Sequence, residues 1–190
     1  MTIAQFESVF LDRDGVLNRK LPEGHYVRSR EEFEVLPGVA RAIARLNRAR
    51  KLVVVVSNQR GISQGLFTGS DVEAIHAAFQ EVLARSDAHV DGFFYCPHER
   101  NRCNCRKPLP GMFEAAVKKF PQIVPESSVM IGDSLSDIEF GRLIGMHTIL
   151  IDSEWAEESP GMKGARMLAD SVYTSLIEAV NSLLGSLRPS

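Results

Sequence analysis

The chain has 190 residues, with 22 Lys and Arg against 24 Asp and Glu, a formal net charge of −2 and 44% apolar residues. That balance suits one globular domain with a single core and argues against a broad phosphate-tracking nucleic-acid surface, which needs an excess of cations. No apolar run reaches the roughly 20 residues needed to span a bilayer; Asp12 and Arg13 come too early for a secretory leader, so a cytoplasmic protein is expected.

In chain order, Val9-Phe10-Leu11 reads as a first strand closing on Asp12. Val39, Ile43 and Leu46 share a helical face. Leu52 to Val56 is an almost unbroken aliphatic run, as expected of a central parallel strand covered on both faces. Val72, Ile75, Phe79 and Val82 predict a second helix, and Phe93 to Tyr95 a third strand. Phe113, Ala116, Val117 and Phe120 predict a third helix, and Val129 to Ile131 a fourth strand. Ile138, Leu143 and Ile144 mark a weaker helix before a fifth strand at Thr148 to Ile151. Ser153 to Lys163, with Pro160 and Gly161, reads as a loop, and Arg188-Pro189-Ser190 as a frayed tail. Leu176, Ile177, Val180, Leu183 and Leu184 predict an amphipathic C-terminal helix over about residues 171–185. Strand and helix in alternation give an α/β chain, one domain over 1–190, with helices on both faces of a mostly parallel sheet.

In such sheets ligands collect at the carboxyl ends of the strands, and Asp12, Ser57, Cys96 and Asp133 each sit where a strand runs out. Asp12-Arg13-Asp14-Gly15 offers two carboxylates two residues apart, with Gly15 free to turn the backbone. Alone, such a pair is equally a solvated acidic turn. Ser57-Asn58-Gln59 offers a hydroxyl and backbone N–H groups to phosphate oxygens, or is a common turn. Arg106-Lys107 before Pro108 is a phosphate-binding pair or a solvated basic turn. Asp133 ends another strand, and Ser136 or Asp137 could simply cap the helix that follows.

In this order the four segments match the four motifs of the haloacid dehalogenase-type phosphatases, and the chain resembles that superfamily from about residue 8 to 152. The resemblance implies a Rossmann-like three-layer sandwich without a large cap domain and an aspartyl-phosphate mechanism. Asp12 would be the nucleophile and Asp14 the acid and then the base. Mg²⁺ would be held by the Asp12 carboxylate, the Asp14 carbonyl and the Asp133 carboxylate. Ser57, the Asn58 amide and Lys107 would steady the transferred phosphoryl group.

Three cysteines is an odd number, and all lie between 96 and 105, which excludes a disulfide framework. Cys96-Pro97-His98, four residues, then Cys103-Asn104-Cys105 supplies three thiolates and an imidazole, the donor set of a closed structural zinc site. Free buried cysteines are the alternative, but Pro, Glu, Arg and Asn around them indicate a surface loop. The zinc deaminase pattern fails, because Cys103 and Cys105 are one residue apart rather than two. Zn²⁺ bound by loop 96–105 would fix Arg106 and Lys107, which follow at once.

Within the superfamily the chain resembles the heptose 1,7-bisphosphate phosphatases and the related histidinol-phosphate enzymes. Gly24-His25-Tyr26-Val27, Asn58-Gln59-Arg60-Gly61-Ile62 with Gly65-Leu66-Phe67-Thr68, and Pro108-Leu109-Pro110-Gly111-Met112 favour the heptose group. By that resemblance Glu23, Gly24, His25, Tyr26, Ser57, Asn58, Gln59, Arg60, Arg106 and Lys107 line the substrate site. The substrate would be a small phosphorylated metabolite, a heptose bisphosphate, in nucleotide-activated heptose biosynthesis, with histidinol phosphate or another sugar phosphate as the alternative. Ser134 stands where many heptose enzymes have Lys, and Arg60 where Ser is usual. A nucleic-acid or adaptor module would leave Asp12, Asp14 and Asp133 without a role. A phospho-accepting signalling domain would not need Asp14. Neither a membrane nor a nucleic-acid partner is expected, and nothing demands more than a monomer.

Overall fold

A computed structural model describes residues 6–22, 24–153 and 160–185. Glu23, Trp155 and the 188–190 tail lie outside the described residues. The strands are β1 (Ser8–Leu11), β2 (Leu52–Asn58), β3 (Gly92–Cys96), β4 (Ser128–Gly132), β5 (His147–Ile151) and β6 (Ser171–Tyr173). Between them run α1 (Val39–Arg48), α2 (Gly69–Ala84), α3 (Gly111–Lys119), α4 (Leu135–Ile144) and α5 (Pro160–Leu168), and α6 (Leu176–Leu184) closes the described chain.

The six strands form one sheet in the order β3-β2-β1-β4-β5-β6, with every neighbouring pair parallel. Alternate side chains face opposite layers, as a pleat requires. Val9, Leu11, Val53, Val55, Val129 and Ile131 pack against α1, α2 and α6. Phe10, Val54, Val56 and Met130 pack against Met112 and Ala116 of α3 and Phe140 of α4. Ile138, Leu150, Met162 and Ala165 form a smaller cluster under α5. This is the α/β, Rossmann-like arrangement expected, with no large cap domain among the described residues. No described helix is long and apolar enough to cross a membrane.

Strand order positions the site. The chain leaves β1 for β2 and β3 on one side, then returns to place β4 on the other side of β1. The connections diverge at the carboxyl ends of β1 and β4, which opens a crevice there. Leu11 pairs in register with Ile131, and the Asp12 amide donates to the Ile131 carbonyl at 2.9 Å. Asp12 and Asp133 therefore emerge side by side at the crevice floor.

Three expectations need correction. The C-terminal segment is not helical from 171: Ser171–Tyr173 pairs with β5, and the helix begins at Leu176 because the Ser175 hydroxyl accepts from the Glu178 amide at 3.4 Å. The loop expected through Lys163 instead turns helical at Pro160, since proline is compatible with the first turn, where no backbone donor is needed. In α2 the buried stripe is Val72, Ile75, Phe79 and Leu83, while Val82 is exposed; likewise Leu143 of α4 faces solvent.

Candidate active site

A cleft of about 740 Å³ lies over the carboxyl ends of the strands. Its floor is carboxylate. Asp12, Asp133 and Asp137 each bring an oxygen within 4.8 Å of the others. Asp137 is fully buried in the first turn of α4, where one oxygen receives the Ser134 hydroxyl at 2.6 Å and the Ser134 amide at 3.1 Å. Glycine makes this convergence possible. A Cβ on Gly15, at φ +95°, would lie 2.1 Å from Asp133 Oδ2, and one on Gly132 would lie 2.1 Å from the Asp137 Cβ.

Two lysines answer the three carboxylates. Lys107 is buried, with Nζ 2.7 Å from Asp12 Oδ1, 2.6 Å from Asp137 Oδ1 and 2.8 Å from the Val56 carbonyl. The Asn58 side chain fixes its backbone, accepting from the Lys107 amide at 3.0 Å and donating to the Lys107 carbonyl at 3.2 Å. Lys20, on the segment after β1, lies 2.6 Å from Asp133 Oδ2. Burial, with Asp137 and Asp133 beside it and Lys107 opposing, raises the Asp12 carboxyl to about 7. Burial and Asp137 raise Asp133 to about 6 against the pull of Lys20 and Lys107. Asp133 Oδ1 is buried with no hydrogen-bond partner. An excess of buried carboxylate, one oxygen unpartnered, fits a hard divalent cation.

Asp14 is held apart from this group. Arg13, almost fully buried, reaches it through Nε at 3.2 Å and Nη2 at 3.0 Å. Asn18 Nδ2 donates to Oδ1 at 3.0 Å and Gln59 Nε2 to Oδ2 at 3.0 Å. Burial pushes the Asp14 carboxyl up, but Arg13, Asn18 and Gln59 together hold it below its ordinary value. Gln59 also donates to Ser57 Oγ at 2.7 Å, so one amide sets both groups.

Of the residues expected at the substrate site, Gly24, His25, Tyr26, Ser57, Asn58, Arg60, Arg106 and Lys107 line the cleft. Gln59 does not; it is buried beneath, on Asp14 and Ser57. Glu23 lies outside the described residues. The sequence gives no signal for Lys20, Arg13 or Arg100, and for Asp137 only that it or Ser136 could cap a helix; Lys20 and Arg100 line the cleft and Arg13 orients Asp14.

Beside the cleft, Cys96, His98, Cys103 and Cys105 gather their Sγ and ring nitrogen atoms within 4.8 Å of one another. Cys96 Sγ is 3.4 Å from Cys103 Sγ, and His98 Nδ1 is 3.3 Å from Cys105 Sγ. Cys96 ends β3, and the other three return on the loop that leads into Arg106 and Lys107.

Comparison with known proteins places this arrangement. A family model described as HAD-hydrolase-like matches residues 104–179. The chain is 47% identical over 135 residues, 70% of each chain, to a D-glycero-α-D-manno-heptose-1,7-bisphosphate 7-phosphatase of Mycobacterium bovis. It is 37% identical over 155 residues, 77% of this chain and 84% of the relative, to a D-glycero-β-D-manno-heptose-1,7-bisphosphate 7-phosphatase of Rhodopseudomonas palustris. A crystal structure of the D,D-heptose 1,7-bisphosphate phosphatase of B. bronchiseptica, complexed with magnesium and phosphate, superposes with a TM-score of 0.82 at 33% identity, covering 94% of this chain and 98% of that one.

Proposed function

Because this chain belongs to the D-glycero-D-manno-heptose-1,7-bisphosphate 7-phosphatase family of HAD-type phosphatases, we propose that it removes the C7 phosphate of that sugar bisphosphate, with magnesium, through a phosphoryl group carried on Asp12. The observation that carries the reading is the meeting of Asp12, half-buried Asp133 and fully buried Asp137 with Lys107 at the crevice floor. Asp12 and Asp133, with the Asp14 carbonyl, would hold Mg²⁺, and the donor set and the unpartnered Asp133 oxygen suit it. When bound, the ion neutralises phosphoryl oxygens that otherwise repel a nucleophile.

The chain's own residues do the rest. Lys107 anchors Asp12 through Oδ1 and brings a cation to the phosphoryl oxygens. An Asp12 oxygen forms the new bond to phosphorus as the ester P–O bond breaks in line, and Asp14 gives its proton to the departing sugar oxygen. A dianionic phosphate beside Asp14 counters Arg13 and raises the proton affinity that this half requires. In the second half Asp14 takes a proton from the water that attacks phosphorus, and the P–O bond to Asp12 breaks.

Cys96, His98, Cys103 and Cys105 act in this reading as a structural Zn²⁺ site: three thiols and one imidazole with no open position fit it. Structural zinc in small peptides contributes roughly 10–16 kcal/mol at neutral pH, enough to order the loop. The loop runs directly into Lys107, whose backbone Asn58 holds from β2.

The α anomer is favoured as substrate, because the relative at 47% identity is named for it and the one at 37% for the β anomer. Steady-state phosphate release from both heptose 1,7-bisphosphate anomers and from histidinol phosphate tests the assignment. A higher kcat/KM for the α anomer is expected. Preference for histidinol phosphate would overturn the substrate and leave the chemistry of Asp12 standing.

A further inference from the structure

Arg60 opens the short 3₁₀ turn Arg60–Ile62 after β2 and lines the cleft. Its Nε donates to the Tyr26 hydroxyl at 3.2 Å, and Nη1 meets Glu99 Oε1 at 3.4 Å. Tyr26 belongs to the segment after β1, and Glu99 to the Cys/His loop after β3. One guanidinium thus joins the segments that follow three adjacent strands. Each partner is itself held by further contacts. The Tyr26 ring packs on Phe67, centroids 5.7 Å apart, and a Cβ on Gly61 of the Arg60 turn would lie 2.2 Å from that Phe67 ring. Glu99 accepts from the Arg100 amide at 2.9 Å, and the Gln64 side chain also reaches it.

We propose that Arg60 is a specificity-determining positioning residue, a clasp that fixes the spacing between Tyr26 and the Arg100–Arg106 side of the cleft mouth, where the sugar beyond the transferred phosphate must sit. The inference rests on the sugar-bisphosphate reading above. Magnitude separates this role from a stabilising one. The Arg60 and Glu99 side chains are 24% and 43% exposed, and such pairs contribute little to folding. Two loops held at a set distance spare the substrate the entropy of ordering them. Arg60 makes no contact with Asp12 or Lys107 among the hydrogen bonds and ion pairs described, so the clasp acts on binding of the distal part of the substrate rather than on phosphoryl transfer.

The test compares wild type with R60S, R60K, Y26F and E99Q on heptose 1,7-bisphosphate and on p-nitrophenyl phosphate, a monoester without a second phosphate. In R60S the ratio of kcat/KM between the two substrates falls about tenfold, carried by KM on the sugar. Y26F and E99Q each give part of that fall, each is non-additive with R60S, and R60K, which has one point charge for two partners, does not rescue it. Hydrogen exchange read by mass spectrometry rises in R60S at both 24–28 and 97–102. Full rescue by R60K with Y26F and E99Q silent would make Arg60 a direct phosphate ligand and overturn the clasp, as would equal losses on both substrates. Unchanged exchange at either segment would overturn it too. A wild type that turns over p-nitrophenyl phosphate but not the heptose would defeat the substrate reading, and the exchange data would still decide the clasp.

Discussion

Magnesium binding should be strongly pH-dependent, and the structure sets the size of the effect. Ion and protons compete for Asp12 and Asp133. The ion needs both ionised, whereas burial and the neighbouring Asp137 hold Asp12 at about 7 and Asp133 at about 6. Raised carboxyl values mean that the metal-free site carries protons which the loaded site must shed, so affinity rises with pH and levels off above about 7. Below pH 6 binding should release more than one proton, and at pH 8 almost none. Apparent affinity should therefore be weaker at pH 5.5 than at pH 8 by about tenfold or more. Calorimetric titration with Mg²⁺ in buffers of different ionisation enthalpy measures both quantities. D137N removes the second-largest cause of the Asp12 shift, and should move the dependence to lower pH. An affinity constant within threefold across this range, with no buffer-dependent heat, would refute the proposed competition.

Gly15→Ala should weaken Mg²⁺ binding and lower Tm, because the left-handed backbone costs about 1–2 kcal/mol and the new Cβ meets Asp133 Oδ2 at 2.1 Å; thermal scans with and without the ion check it. Asp14→Asn should lower kcat by roughly 10²–10⁴, because the departing sugar oxygen loses its proton donor and the attacking water its base; steady-state phosphate release checks it. Cys103→Ser should lower thermal stability and kcat while leaving the Mg²⁺ requirement in place. Metal analysis of the purified protein that found no zinc would contradict the structural role given to that loop.

Much of the fold was legible because the central strands are unambiguous. Val53 to Val56 are each fully buried, and a short β-branched run of this kind is what a strand covered on both faces requires. Strand β6 was not legible: it is three residues long, and Val172 in its middle is exposed, so it has neither length nor alternation. Pro160 misled because proline breaks a helix interior but suits a first turn. At the site, the carboxylates could be read from where strands end. Lys20 could not, because its position beside Asp133 depends on how the segment after β1 folds back over β4, a contact 113 residues apart in sequence. The family resemblance puts Gln59 at the substrate site, whereas its side chain turns inward to Asp14 and Ser57. Asp137 shows how one residue can satisfy two readings, capping α4 through Ser134 and pairing with Lys107.

Asp12 is the group that takes up phosphate in the proposed mechanism. Borohydride added to the enzyme during turnover of heptose 1,7-bisphosphate reduces an acyl phosphate, and tandem mass spectrometry then locates the altered residue. Homoserine in place of Asp12 is expected, dependent on substrate and Mg²⁺, and no turnover by Asp12→Asn with its fold intact. Turnover without any altered residue at position 12, or a wild-type rate in Asp12→Asn, would contradict it.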